Sequence, residues 1–210
     1  MGNIFNRFIP HVVDESNGVS KSYDLYSRLL KDRIIMLHGE IEENLANNIV
    51  MQLLILEAES KTKPIHIYIN SPGGCVYSCL SILDTMKCIK CPVATFGIGL
   101  VASAASVLLS CGTKGHRYVL PSTRIMIHQP HGRTHGQVTD IEIQTNEFLF
   151  LKNELNELLS GRSNVSTKEM SKLMERDKYL SSKEAIKIGL VDSILDGDFD
   201  KKQNLNLKKK

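Results

Sequence analysis

Three serines offer this chain a nucleophile. Ser103, Ser106 and Ser110 lie in GLVASAASVLLSCG (99–112), inside a run of 23 residues from Cys91 to Thr113 that carries no charge. Ser103 comes first, where a glycine-rich turn hands over to a helix. A hydroxyl there lies beside backbone N–H groups that have no intrahelical partner and could stabilise an oxyanion. Ser106 and Ser110 fall one and two turns deeper on the same face and read as packing residues. By residue type alone, a serine at a helix start is more commonly a cap. A nucleophile also needs a base. His128 is the best placed, because it ends the strand RIMI (124–127) at the sheet's edge, before Gln129 and Pro130. A third group should orient that histidine. Asp140, Asp177 and Asp192 remain open for that role.

Other chemistries fit the same residues less well. Cys88-Ile-Lys-Cys91 is a CxxC, and Cys75 with Cys79 supplies a second pair, so a four-thiolate zinc site can be drawn. Cys75 and Cys79 fall on a helical segment without a knuckle glycine, which favours cysteine used as a small hydrophobe. His128, His131 and His135 sit in a Pro/Gly-rich loop with no nearby cysteine or paired carboxylate, and no metal is expected. Gly97-Ile-Gly-Leu-Val-Ala102 matches a dinucleotide turn after a strand. That use demands an acid about 20 residues on to hold a ribose hydroxyl, and Arg117-Tyr-Val-Leu120 stands there instead. The uncharged run has the length of a membrane span, but Pro92, Gly97, Gly99, Thr95 and the serines fit a buried strand followed by a buried helix.

These residues need a scaffold, and the hydrophobic pattern supplies one. RIIML (33–37) reads as a strand, 41–60 as a helix, IHIYI (65–69) as a strand, NSPGG as a turn and 75–89 as a helix. Strand VATF, a helix from Ser103, strands HRYVL and RIMI, a long helix from Val138 to Ser160, and short helices near 167–174 and 182–188 follow. Alternation of this kind implies one α/β domain with a largely parallel sheet.

Composition is that of a globular chain, with 42% hydrophobic and 23% charged residues. Five lysines in residues 201–210 account for more than the whole formal charge of +3. The body is therefore slightly acidic, and the tail is expected to be disordered and solvated. No aromatic residue interleaves its lysines, so nucleic acid is not an expected partner. Five cysteines and no secretory signal in MGNIFNRFIP point to a reducing compartment, without a membrane anchor.

SYDLYSRLLKDRII (22–35), YINSPGG (68–74), the helix at Ser103, RIMIHQP (124–130), GQVTDIEI (136–143) and ERDKYLSSKEAIKIGLVDSIL (175–195) together resemble the proteolytic subunit of the Clp protease, the ClpP family. The resemblance runs from about Ile9 to Leu195. It implies a crotonase-like α/β fold of strand-helix units with a protruding long handle helix, and a Ser-His-Asp endopeptidase. Ser103 falls on the nucleophile, His128 on the base, Asp177 on the orienting acid, and the N–H groups of Gly74 and Ala104 on the oxyanion hole. It also implies two stacked heptameric rings, homomeric or mixed with a paralogue, joined through the long helix. An AAA+ unfoldase would spend ATP to feed them unfolded polypeptide, and this chain would hold no cofactor. The expected location is the cytoplasm or an organelle of bacterial origin. Residues 1–8 correspond to a short propeptide cut near Asn6-Arg7, residues 9–195 to a single domain, and 196–210 to the basic tail.

The sequence departs from the family's pattern in two places near the site. Ala104-Ala105 follow the nucleophile where Met-Gly is usual. Gly132-Arg133 stand where the substrate-receiving strand has two glycines, so Arg133 is expected to reshape or crowd the cleft. Two alternatives follow: a weakly active or structural subunit of a mixed ring, and an acyl-CoA enzyme of crotonase fold.

Overall fold

A computed structural model describes residues 10–16 and 19–196. The expected propeptide, its cut near Asn6-Arg7 and the tail beyond Asp196 lie outside these residues. The chain opens with an antiparallel hairpin, β1 (His11–Ser16) and β2 (Val19–Asp24), followed by α1 (Leu25–Lys31), whose start Asp24 caps by accepting from the Ser27 N–H at 3.0 Å. There follow β3 (Ile34–His38), α2 (Glu43–Glu59), β4 (Ile65–Ser71), α3 (Val76–Cys88), β5 (Val93–Ala102) and α4 (Ala104–Ser110). The rest is β6 (Arg117–Val119), β7 (Arg124–Ile127), α5 (Val138–Gly161), α6 (Thr167–Leu173), β8 (Lys178–Ser181), α7 (Ser182–Lys187) and β9 (Ser193–Ile194).

β3, β4, β5, β6 and β9 run parallel in that order, the parallel α/β arrangement that the alternating pattern implies. In β4, Ile65, Ile67 and Ile69 are wholly buried, while His66 and Tyr68 between them face the other side and are half-buried. Helix α2 closes the core with Ala46, Ile49, Leu53 and Leu56, and α3 with Cys79, Ile82, Leu83 and Met86. Each of the larger apolar side chains contributes about 1.5–3 kcal/mol of transfer free energy.

Two expectations need correction. Gly97 to Ala102 is not a turn but the second half of β5. Gly97 pairs with Ile69 and Val119, the chain bends at Gly99 (φ +61°), and Leu100 to Ala102 then pair with β7 instead of β6. Asn70 holds the bend by accepting from the Leu100 N–H. The dinucleotide-like glycines therefore lie within a sheet and not at a helix start. Nor is β7 an edge strand, because β8 pairs antiparallel along its other side.

Helix α5 buries Leu151, Leu155, Asn156 and Leu159 in its C-terminal half, while Val138 and Ile143 in its first half are 82% and 67% exposed. Among the described residues no helix is long and apolar enough to cross a membrane.

Candidate active site

Three strand ends bring the candidate residues together. β5 runs parallel to β7 with Ala102 opposite Met126, and the ladder carries one step further, since the Ser103 N–H donates to the Met126 carbonyl at 2.8 Å. β7 runs antiparallel to β8 with Ile127 opposite Lys178. The next step in that register sets His128 against Asp177. Sheet pairing thus places the three residues before any side-chain contact is considered.

The side chains complete the arrangement. His128 Nε2 lies 2.8 Å from Ser103 Oγ, and His128 Nδ1 lies 2.9 Å from Asp177 Oδ1. With Nδ1–H donating to the carboxylate, Nε2 is left as the acceptor for the serine proton. Of the three aspartates left open by residue type, this geometry selects Asp177. Asp192 instead accepts from buried Arg117, and Asp140 sits in the first turn of α5.

Ser103 makes no side-chain cap to α4, although it occupies the cap position. Its backbone is in the left-handed half of conformational space, with φ 54° and ψ −127°. A non-glycine residue there costs about 1–3 kcal/mol, and such strain collects at functional sites. Ser106 and Ser110 are 2% and 1% exposed and donate to the carbonyls of Ser103 and Val107, as packing residues should.

The Gly73–Gly74 turn lies against the other side of Ser103. Residues 73 to 75 are stitched to Ile41: the Ile41 N–H donates to the Gly73 carbonyl and the Cys75 N–H to the Ile41 carbonyl, both at 2.8 Å. A Cβ on Gly74 would stand 2.3 Å from the Ile41 oxygen, so only glycine fits there. A Cβ on Gly73 would come 3.0 Å from the Ala104 nitrogen, which puts the turn directly beside the first N–H of α4. As the first helical residue, Ala104 has no intrahelical acceptor for that N–H.

An open cleft of about 760 Å³ runs past these groups, and its lining includes Gly73 to Tyr77, Pro130, His131, Phe148 and Leu151. Beside Ser103 is an apolar recess whose lining includes Val76, Val107, Leu155, Leu159 and Met174. From the loop after His128, Pro130 and His131 line the cleft, whereas Arg133 is exposed and absent from its lining. The expected crowding by Arg133 is therefore not seen. The Gly132 position does matter, since a Cβ there would stand 2.5 Å from the Phe148 ring.

Cysteine and histidine chemistry divides as follows. Cys75 is exposed at the head of α3, and the Ser78 backbone N–H holds its thiol below the ordinary range against the opposing effect of burial. Cys79 and Cys111 are buried, and burial pushes both thiols up. Among the described residues no three His, Cys, Asp or Glu side chains gather as metal ligands.

Compared with known protein families, the chain matches the Clp protease family over residues 16–198.

Proposed function

The chain belongs to the Clp protease family, and from that membership we propose that it is a serine endopeptidase subunit in which Ser103 is the nucleophile, His128 the general base and acid, and Asp177 the group that orients the imidazole. The observation that carries this reading is the unbroken hydrogen-bonded line from Ser103 Oγ through His128 to Asp177, at 2.8 and 2.9 Å, on an uncapped and strained serine.

In the proposed reaction His128 Nε2 takes the Ser103 proton as Oγ bonds to the scissile carbonyl carbon. The carbonyl oxygen becomes an oxyanion, held by the N–H groups of Gly74 and Ala104. His128 then gives the proton to the leaving amine, which departs as the C–N bond breaks and leaves an acyl-Ser103. Water, deprotonated by His128, releases the acid and restores the serine. No cofactor takes part in these steps.

The assembly belongs to the same proposal: two stacked heptameric rings enclosing the sites, α5 joining ring to ring, and an AAA+ unfoldase that spends ATP to deliver unfolded polypeptide. Its support is the apolar surface of α5, where Val138, Ile143, Leu149 and Phe150 are more than half exposed.

The test of the site is labelling by a fluorophosphonate together with peptide cleavage. Ser103→Ala should lose both and Ser106→Ala keep both, while Asp177→Asn should lower kcat by on the order of 10⁴. Labelling that persists in Ser103→Ala refutes the assignment.

A further inference from the structure

The cleft has a feature that the peptide-bond chemistry does not use. Tyr77, the second residue of α3, donates its hydroxyl to Glu147 Oε1 at 2.9 Å, across 70 positions of sequence. Tyr77 lines the cleft three residues after Gly74, and Glu147 comes from α5, whose next residue, Phe148, lines the same cleft. The bond therefore ties α3 to α5 beside the cleft. Helix α5 is itself anchored by Leu151, Leu155 and Leu159, buried in its C-terminal half.

Although its hydroxyl is committed, Tyr77 remains 58% exposed, and it lines the same cleft as Ser103 and His128. Burial does not explain the bond, since neither partner sits in the core. The bond instead holds a flat apolar ring in one orientation at the border of the cleft. A tyrosine has few torsions to freeze, so a tethered ring provides contact area at small entropic cost. The hydrogen bond to the Glu147 carboxylate also raises the Tyr77 pKa above its ordinary value.

We propose that Tyr77, held in place by Glu147, is a specificity-determining residue of the cleft: its ring is a platform for a bulky apolar side chain of the substrate, a few residues from the scissile bond. Glu147 is the positioning residue that acts through it. The proposal rests on the peptidase reading. A contact to a side chain away from the scissile bond that is made equally in ground and transition states acts on KM and not on kcat.

Two fluorogenic octapeptides test it, sharing one scissile bond and its two flanking leucines and differing in whether the outer residues are leucine or serine. Wild type should favour the leucine peptide by about tenfold in kcat/KM, through KM. Tyr77→Ala should bring that ratio near one. Glu147→Ala should lower it part of the way, Glu147→Gln should retain most of it by keeping an acceptor, and Tyr77→Ala with Glu147→Ala together should match Tyr77→Ala alone. If Tyr77→Ala lowers both peptides alike and leaves the ratio unchanged, Tyr77 is merely structural and the proposal is overturned. Cleavage that survives in Ser103→Ala would instead refute the peptidase reading beneath it, so the two failures are separable.

Discussion

A Cβ placed on Gly73 would stand 2.6 Å from the Cβ of Ser103 and 2.7 Å from the carbonyl oxygen of Ala102. The Gly73–Gly74 turn and the strand end that carries Ser103 are packed closely enough to leave no room for a side chain at position 73. Gly73 also sits at φ +95°, where a side chain is strained whatever the space.

Gly73→Ala should therefore displace Ser103, and a shift of about 1 Å at a reacting atom can cost on the order of 10²-fold in rate. Gly115→Ala separates the two causes, because Gly115 has φ +87° but a Cβ there would meet nothing within 4 Å. It should cost about 1 kcal/mol of stability and leave fluorophosphonate labelling unaltered. Equal labelling rates in the two variants would show that crowding at Gly73 is irrelevant to the site.

The sequence made some of this legible and concealed the rest for identifiable reasons. The buried strands and helices were readable because Ile65, Ile67 and Ile69, or Ile49, Leu53 and Leu56, repeat at the right period. Ser103 was readable because it opens an apolar helix after a glycine-rich stretch, and His128 because it ends the apolar strand RIMI. Asp177 could not be ranked bottom-up, since the strand that places it, Lys178–Ser181, has only Leu180 buried and gives almost no pattern; the family resemblance supplied it. Gly97 to Ala102 misled because its glycines serve close packing and a change of strand partner, which look in sequence like a turn. Tyr77 and Glu147 carried no signal, their pairing being a product of tertiary structure alone.

Cysteine reactivity follows from position. Cys75 is exposed in the cleft with its thiol held below the ordinary range, whereas Cys79 and Cys111 are buried with thiols pushed up. Since the thiolate is the reactive form, iodoacetamide at about pH 7.5 should modify Cys75 well before Cys79 or Cys111, with peptide cleavage falling in step. Cys75→Ser should protect the activity. Peptide mapping by mass spectrometry reads the order, and early modification of Cys79 would contradict the burial argument.

Asp192 should set part of the acid limit of stability. Burial works to raise its pKa, but the Arg117 side chain, the Arg117 and Gly115 N–H groups and the Arg117 charge together hold it below the ordinary carboxylate value. A carboxylate whose pKa is depressed by folding contributes stability above its unfolded value, lost as pH falls through the folded value. Asp192→Asn leaves the Arg117 guanidinium, 5% exposed, without its anion and should cost about 3 kcal/mol at pH 7. Urea unfolding should show the gap between wild type and variant narrowing as pH falls below about 4, where Asp192 of the unfolded chain protonates, and on through the lower folded value. A gap as wide at pH 3 as at pH 7 would mean that charge is not its cause.

The last prediction concerns the proposed unfoldase. The resemblance places its docking loop in apolar pockets at the ring edge that aromatic residues usually line, and here His66 and Cys88 stand where rings are common. An aromatic row persists beside His66: Tyr68 stacks on Phe96 with centroids 4.5 Å apart, Phe96 stacks on Tyr118 at 5.0 Å, and His66 meets Phe96 edge-on at 5.6 Å. Burial first, then His116 and Arg33, hold the His66 pKa below its ordinary value. A row of rings thus remains where two ring positions are lost, and aromatic anchors dominate such contacts. A ring made of this chain alone should bind a standard unfoldase weakly, with a paralogous ring supplying the stronger face in a mixed particle. His66→Tyr with Cys88→Phe should tighten binding by about tenfold or more and raise ATP-dependent degradation of a tagged folded substrate, while cleavage of a short peptide stays the same. Tight unfoldase binding by the unmodified chain, with no gain in the double variant, would show that the remaining row of rings suffices.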